Sequence, residues 1–288
     1  MSSLSKYLYA DLTWPEINEA AKAKKVLLLP IGSTEQHGHH LPLNVDNFLA
    51  TSVSLEAAKR SPEDMLMMPN IPYGYNEHAM DFPGTIHVHY DHFIEYCLDV
   101  CKSVAYYGFE RIVLVDGHGS NEHLCEFIAR RGNLETDAIF ASCIWTDLAK
   151  VKFEEIRDSG FGGAAHAGEL ETSVYLYLDD SKVDMSKATD HYGGAAGGDI
   201  KSGIAKFTAV DLSKGWGPMK VINWTSSASP TGVSGAATMA TKEKGKEIFN
   251  AAVENLVEFV HLFKEMPKAP RVDHREVKPQ SPTLPSLD

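Results

Sequence analysis

Two uninterrupted apolar runs of strand length stand out along this chain. Residues 26–31 read VLLLPI, and the second predicted strand, residues 111–115, reads RIVLV, in which four apolar residues follow Arg111. Continuous apolar runs are typical of strands covered on both faces. Between them, residues 91–107 carry Phe93, Cys97 and Cys101 at helical spacing and are followed by Gly108. That pattern predicts an amphipathic helix that ends at the glycine.

Helices and strands are predicted to alternate through the rest of the chain. We expect helices over residues 13–25, 46–60, 121–131, 172–178 and 241–264, and strands over 65–69 and 138–144. Such alternation is typical of an α/β protein with a mainly parallel sheet flanked by helices. We predict one α/β domain over residues 1–266, and a Pro-rich C-terminal tail over residues 267–288, which contain five prolines.

Charge and composition narrow the class of protein. Asp and Glu total 39 against 27 Lys and Arg, so the formal net charge is −12, and an acidic surface disfavours nucleic-acid partners. The contents of 43% hydrophobic and 23% charged residues fit a folded globular protein. Residues 1–9 lack an apolar signal core, and the run over 26–31 is too short to cross a bilayer. We therefore expect a cytoplasmic protein with no membrane or nucleic-acid partner.

Histidine is abundant, with 13 His against 4 Cys, and several lie beside carboxylates. Glu35, His37 and Asp46 follow the first apolar run, and His118 follows the second. In a parallel sheet, ligands bind beyond the carboxyl ends of the strands. Carboxylate and imidazole groups there suit Zn²⁺, Mn²⁺ or Fe²⁺, although a single Glu-x-His in a loop is usually a solvated turn.

A third polar set makes a metal site the better interpretation. His166, Glu169 and Glu171 lie within six residues, next to a Gly- and Ala-rich stretch. Three such side chains have little structural purpose in a loop of that kind. We therefore expect all three polar sets to contribute to one site.

Several motifs resemble, in sequence order, those of the creatininase family of metal-dependent hydrolases. They are GSTEQHG at 32–38 with Leu41, Pro42 and Asp46, EH at 77–78 with FPGT at 82–85, GHG at 117–119 with Asn121, and HAGE at 166–169 with ETS at 171–173. The resemblance spans residues 10–265. It implies a three-layer α/β/α fold, a site for two divalent metal ions with Zn²⁺ as the first expectation, and a homo-oligomer, commonly a hexamer.

The resemblance also assigns roles to individual residues. It implies that Glu35, His37, Asp46 and His118 are metal ligands, with Asp46 bridging the two ions. Creatininase itself has a Glu where this chain has Ser120, so we expect Glu169 to complete the second metal site. His166 matches a proposed proton donor, and Glu171 matches a carboxylate that orients it or the substrate.

The function implied is hydrolysis of the C–N bond of a small amide, cyclic amide or formamide by a metal-bridging hydroxide. The substitution at Ser120 puts creatinine in doubt as the substrate. Two alternatives stay open: hydrolytic C–C cleavage of a cyclic diketone such as a dehydro-inosose, and a metal-binding protein that has lost catalysis.

Two further residues are candidates for the substrate pocket. His78 is interpreted either as part of the pocket wall or as a buried, hydrogen-bonded histidine. Trp216 lies between two glycines, and it belongs either to a flap over the site or to a surface turn.

Overall fold

A four-stranded parallel sheet positions the polar sets identified above. The structure, a computed structural model, describes residues 6–192, 203–208 and 210–277. The sheet contains β1 (Val26–Ile31), β2 (Met65–Met67), β3 (Arg111–Asp116) and β4 (Ile139–Ile144), in the order β2-β1-β3-β4. β1 and β3 are direct neighbours, and Ile31 pairs with Asp116 at their carboxyl ends.

Helices cover both faces of this sheet. On one face, the alternate strand residues Leu27, Leu29 and Leu114 are buried with α1 (Trp14–Lys22), α3 (Tyr90–Tyr106) and α4 (Glu122–Glu135). On the other, Leu28 and Val113 are buried with α2 (Val45–Arg60), α5 (Trp145–Ile156), α6 (Glu169–Asp179) and α9 (Lys242–Glu265). Because side chains alternate between the faces of a strand, two separate cores form. The predicted three-layer α/β/α fold is confirmed.

Smaller elements lie between α5 and α9. β5 (Ala164–His166) and β6 (Asp190–His191) both pair antiparallel with β9 (Ser234–Ala236). β7 (Val210–Asp211) pairs with β8 (Gly215–Trp216), and the short helices α7 (Ala205–Thr208) and α8 (Thr225–Ala228) flank this hairpin. The predicted helix over 172–178 begins three residues earlier than expected, at Glu169. That shift moves two candidate site residues from a loop into a helix.

Beyond α9 the chain runs along the surface as far as it is described. Arg111 Nη2 donates to the carbonyl of Met266, and Lys268 Nζ donates to the carbonyl of Thr136 at 2.8 Å. Residues 267–277 are exposed and have no helix or strand. The division into a domain and a tail stays a prediction. Among the described residues, no helix is both long and apolar enough to cross a membrane.

A close approach between β3 and α2 generates the first prediction. A methyl group on Gly117 would lie 2.2 Å from the backbone oxygen of Asp46. Gly117→Ala should therefore reduce the free energy of unfolding of the metal-free protein by about 1–3 kcal/mol, the usual cost of overpacking, measured by urea denaturation.

Gly119→Ala is the matched control, because its added methyl would meet no described atom within 4 Å. Equal unfolding free energies for the two variants would contradict the prediction.

Candidate metal centre

Four predicted ligands converge where β1 and β3 end. Glu35 and His37 follow β1, His118 follows β3, and Asp46 is the second residue of α2. Each of the four side chains is at most 5% exposed. The strand pairing brings the two loops together, and the tight contact at Gly117 brings the start of α2 against them. The structure thus gathers residues that are as far as 83 positions apart in sequence (118 − 35).

The imidazoles and carboxylates of this group lie in direct contact. His37 Nε2 is 3.1 Å from Asp46 Oδ1, and His118 Nδ1 is 3.1 Å from Asp46 Oδ2. His118 Nδ1 is also 2.9 Å from Glu35 Oε2. Asp46 therefore lies between the two histidines, with one oxygen facing each.

Backbone carbonyls fix which nitrogen of each ring faces the carboxylates. His37 Nδ1 lies 3.1 Å from the carbonyl of Glu35, and His118 Nε2 lies 3.1 Å from the carbonyl of Tyr75. A carbonyl only accepts, so these nitrogens carry hydrogens. The opposite nitrogens then direct lone pairs at Asp46 and Glu35. Such a contact is repulsive unless a proton or a metal ion lies between the atoms.

Buried atoms without partners provide the test of whether a metal fits. Glu35 Oε2, His37 Nε2 and Asp46 Oδ2 are fully buried, and no described residue meets them with hydrogen-bond geometry. Buried charged atoms of this kind are costly unless paired or bound to metal. Oxygen and imidazole nitrogen are also ligands that divalent transition metals accept. The residues present therefore fit a metal site.

Protons hold this cluster together when no metal does. Burial alone would lower the pKa of His37, but the charges of Asp46, Glu171 and Glu35 outweigh it and raise the pKa to about 9. Burial is likewise outweighed at His118, where Glu35 and Asp46 raise the pKa well above its usual value. Burial would raise the pKa of Asp46, yet His37 and His118 lower it.

His166 and Glu171 reach the same cluster from β5 and α6. The ring centroids of His166 and His37 are 4.2 Å apart. Glu171 offers a carboxylate oxygen within 4.8 Å of ligand atoms of both His37 and Asp46. Its Oε2 accepts from the backbone N–H of Ala167 at 2.6 Å, and Ala167 has the left-handed φ of 53° that is uncommon for a residue other than glycine. The turn before α6 thus holds the Glu171 carboxylate toward the cluster.

Burial shifts the pKa values of His166 and Glu171 in opposite directions. It lowers the pKa of His166 to about 4, so this imidazole is neutral near neutral pH. It raises the pKa of Glu171 to about 7, against the opposing effect of His37. A cation close to Glu171 would favour its ionised form.

Glu169 requires a correction, because the structure does not bring it to the cluster. Its carboxylate accepts from the backbone N–H groups of Asp158 and Ser159, both at 2.9 Å, and from Lys244 Nζ at 2.5 Å. Both oxygens are therefore committed elsewhere. The prediction that Glu169 completes the second metal site is wrong, because α6 begins at Glu169 and turns its side chain away from the side that Glu171 faces.

A cavity of about 540 Å³ opens beside the cluster, and its lining includes His78, the first of the two candidate pocket residues. His78 lines it, with its ring 6.3 Å from that of His118 and its Nε2 3.5 Å from Ser120 Oγ. Burial lowers the pKa of His78. The Trp216 side chain lies outside the described residues, but its neighbours Gly215 and Gly217 line the cavity.

Other supporting residues were missed in the sequence. Gln36 Nε2 donates to the carbonyl of Gly232 at 3.1 Å, and Gln36 O lies 2.8 Å from His166 Nε2. Asp116 Oδ1 accepts from the backbone N–H of His118 at 3.1 Å. The position of Asp116 at the last residue of an apolar strand is the one signal that could have identified it.

Comparison with known proteins connects this geometry to a family. The model of the creatininase family, described as creatinine amidohydrolase, matches residues 10–260. The chain belongs to the creatininase family. It is accordingly a metal-dependent hydrolase.

Relatives within this family have different named activities. The chain is 29% identical over 287 residues to 3-dehydro-scyllo-inosose hydrolase of Thermotoga maritima, covering 95% of this chain and 89% of the relative. It is 28% identical to creatinine amidohydrolase of Pseudomonas putida, covering 89% and 97%. It is 31% identical to mycofactocin precursor peptide peptidase of Mycobacterium ulcerans, covering 85% and 84%.

Solved creatininase structures agree in fold and are described with metals. One described as "Creatininase Mn" has a TM-score of 0.72 at 27% identity, covering 90% of this chain and 99% of that one. A mutant creatininase of "Zn-Zn type" has a TM-score of 0.71 at 27% identity, with the same coverage. Divalent metal ions are therefore the cofactors that fit this family member.

The raised histidine pKa values predict how pH affects the metal-free protein. The pKa of His37 is raised from 6.5 to about 9, so protonation of His37 stabilises the fold fully below pH 6.5 and progressively less as pH rises to about 9. The free energy of unfolding of chelator-treated protein should fall across that window. Zn²⁺ affinity, measured by competition with a chromogenic chelator, should rise there because metal displaces protons.

The control is His37→Ala, which should flatten the decline of metal-free stability with pH. Metal-free stability that increased with pH across the same window would contradict the assignment.

Proposed function

We propose that this protein is a binuclear metal-dependent hydrolase that cleaves the C–N bond of a small amide, cyclic amide or formamide. The observation that carries the proposal is a pair of ligand groups that share one carboxylate. Glu35, Asp46 and His118 form one group, and His37, Asp46 and Glu171 form another. A third group among the described residues, Glu35, His37 and His166, does not include Asp46. Two groups around one bridging aspartate suit two ions side by side.

Asp46 would be the ligand shared by the two ions in this proposal. Its Oδ1 faces His37 and its Oδ2 faces His118, so each oxygen belongs to a different group. Three carboxylates, Glu35, Asp46 and Glu171, contribute three negative charges against the four positive charges of two divalent ions. That near balance is favourable because buried carboxylates need opposite charges close to them.

Creatininase itself has a glutamate at the position of Ser120, and we expected Glu169 to replace that ligand. In this proposal Glu171 replaces it instead. Its carboxylate lies near His37 and Asp46, whereas Ser120 Oγ contacts His78. The interpretation of the chain as a non-catalytic metal binder rested on the substitution at Ser120. A carboxylate from α6 in reach of the second group removes the support for that alternative.

Imidazole and carboxylate ligands without sulfur fit Zn²⁺ first, with Mn²⁺ or Fe²⁺ as alternatives. When bound, such ions supply Lewis-acid polarisation of a carbonyl and lower the pKa of water toward neutrality. The protein buries the ligand side chains, and the cavity lined by Glu35, Asp46 and His118 leaves an open side.

His166 is the proposed proton carrier. Its Nε2 lies 2.8 Å from the carbonyl of Gln36 and 3.0 Å from the side-chain amide nitrogen of Gln36. One ring nitrogen of the neutral imidazole carries the hydrogen, and the other is left to accept a proton. With a pKa lowered to about 4 by burial, His166 starts neutral. It accepts a proton at its unprotonated ring nitrogen and then donates it to the departing nitrogen, as a general base and general acid in turn.

Hydrolysis of a C–C bond is the second candidate reaction, because one specific observation favours it. The relative from Thermotoga maritima that matches 95% of this chain is named an inosose hydrolase. Both reactions begin with attack on a carbonyl, so the ligand set serves either one. Incubation with cyclic amides, formamides and dehydro-inososes, followed by mass spectrometry, distinguishes them: ring opening of the inosose alone would overturn the C–N assignment.

We further propose a small-molecule substrate, a cytoplasmic location and a homo-oligomer, with a hexamer as the form that the family resemblance implies. The cavity of about 540 Å³ supports a small-molecule substrate. Sedimentation of the purified protein measures the oligomer.

The ligand assignment predicts separable losses in two variants. Glu171→Gln should reduce the metal content from about two ions per chain to about one, measured by plasma mass spectrometry. His166→Asn should retain both ions but lower kcat by about 10²- to 10⁴-fold, the usual contribution of general acid–base catalysis.

Ser120→Ala serves as the control, because it alters the position where creatininase itself has a glutamate and should keep the full metal content. Metal lost in Ser120→Ala but retained in Glu171→Gln would overturn the assignment of Glu171.

A further inference from the structure

The carboxylate of Glu169 is a fully buried acid outside the metal cluster, and it accepts three hydrogen bonds. It is 0% exposed, and it lies at the first residue of α6. Its Oε1 accepts from Asp158 N–H at 2.9 Å and from Lys244 Nζ at 2.5 Å, while Oε2 accepts from Ser159 N–H at 2.9 Å. This one side chain therefore joins α6 to the end of α5 and to α9.

Lys244 anchors the other side of this connection. It lies in the first turn of α9, and it also donates to the carbonyl of Met239 at 2.8 Å and to Asp158 Oδ2 at 2.5 Å. The two helices approach closely just beyond it, because a methyl on Gly245 would lie 1.9 Å from the backbone oxygen of Ser173. The start of α6 is thus held against a rigid neighbour.

The same turn of α6 carries the proposed ligand Glu171. Residues two positions apart on a helix point about 200° apart around its axis, so Glu169 faces α9 while Glu171 faces the cluster. The backbone between them has little freedom, because Ala167 N–H bonds to Glu171 and Glu169 N–H bonds to the carbonyl of Gly163 at 3.3 Å. A displacement of Glu169 would therefore move Glu171.

We propose that the ion pair between Glu169 and Lys244 is a positioning element of the metal centre, which sets the affinity for the ion that Glu171 binds. This inference rests on the proposed function, since it requires Glu171 to be a ligand. Glu169 and Lys244 are positioning residues: they act through the first turn of α6 and do not touch metal or substrate.

Residues Lys244 and Lys264 of α9 offer a matched pair of variants. Lys264 Nζ contacts Asp64 Oδ1 at 2.7 Å near the other end of the helix. Lys264→Met therefore removes a lysine–carboxylate pair from the same helix without a connection to α6. Asp158→Asn tests the exposed partner of Lys244 separately, since the backbone N–H of residue 158 still reaches Glu169.

The experiment measures Zn²⁺ binding to the full-length, metal-depleted chain by competition with a chromogenic chelator, well below the unfolding temperature. Lys244→Met and Glu169→Gln should weaken the binding of one of the two ions by about 10- to 100-fold, the range typical of outer-shell partners. The affinity for the other ion, and both affinities in Lys264→Met and Asp158→Asn, should be unchanged. Circular dichroism of each metal-free variant measures folding, and Glu169→Gln is the milder substitution if Lys244→Met does not fold.

Two results would overturn the inference. One is unchanged affinity for both ions in Glu169→Gln or Lys244→Met, even with a lower Tm, because that leaves a purely structural ion pair. The other is equal weakening in Lys264→Met, because that indicates a general loss of stability.

Glu171→Gln distinguishes the two proposals. If it loses one ion while Lys244→Met keeps both, only the positioning role fails. If it binds both ions tightly, the ligand assignment in the proposed function fails, and the positioning role fails with it.

Discussion

The structure depends on burying three carboxylates and two imidazoles at one edge of the sheet, where water cannot solvate them. Glu35, Asp46 and Glu171 are each at most 6% exposed. Negative charges buried so near to one another repel each other strongly. Cations must lie among them, and protons on His37 and His118 fulfil that need only in part. Asp46 gains a further contribution from its place in the first turn of α2, where the helix dipole favours a negative charge. The stability of the fold and the binding of metal ions therefore both depend on balancing these buried charges.

Backbone contacts bring these charges together. β1 and β3 are neighbours in register, so their loops leave the sheet side by side, and a glycine at position 117 lets the start of α2 approach β3 closely. Carbonyls of Glu35 and Tyr75 then orient the two imidazoles. The two candidate histidine ligands are thus oriented by main-chain carbonyls. A site of this kind is preorganised before any cation binds.

The dependence of the site on backbone contacts also explains how much of it could be predicted from the sequence. Glu35, His37, Asp46 and His118 could be predicted as candidates because they follow apolar runs typical of buried strands, and the resemblance to the creatininase family implied ligand roles for the same residues. The choice between Glu169 and Glu171 could not be made in the same way. It depends on the helix start at Glu169, because each residue turns the side chain by about 100°. A helix placed three residues later leaves both glutamates in a loop, where either could face the metals. Tertiary packing against α9, through Lys244, determines the rotation.

The wall of the cavity is where activities within the family can differ while the ligand set stays the same. Much of that wall comes from β7, β8 and the following residues, among them Asp211, Pro218 and Asn223. Arg157 holds this region to the end of α5 through two contacts of 2.9 Å with the Asp211 carboxylate, and the next two residues hold Glu169 by their backbone N–H groups. One short segment therefore supports both the cavity wall and the helix that carries Glu171. Substitutions in the wall can alter which leaving group fits, whereas substitutions in the supporting segment would disturb recognition and metal binding together. Separate evolution of substrate choice is thus easiest through residues that line the cavity and do not contact that segment.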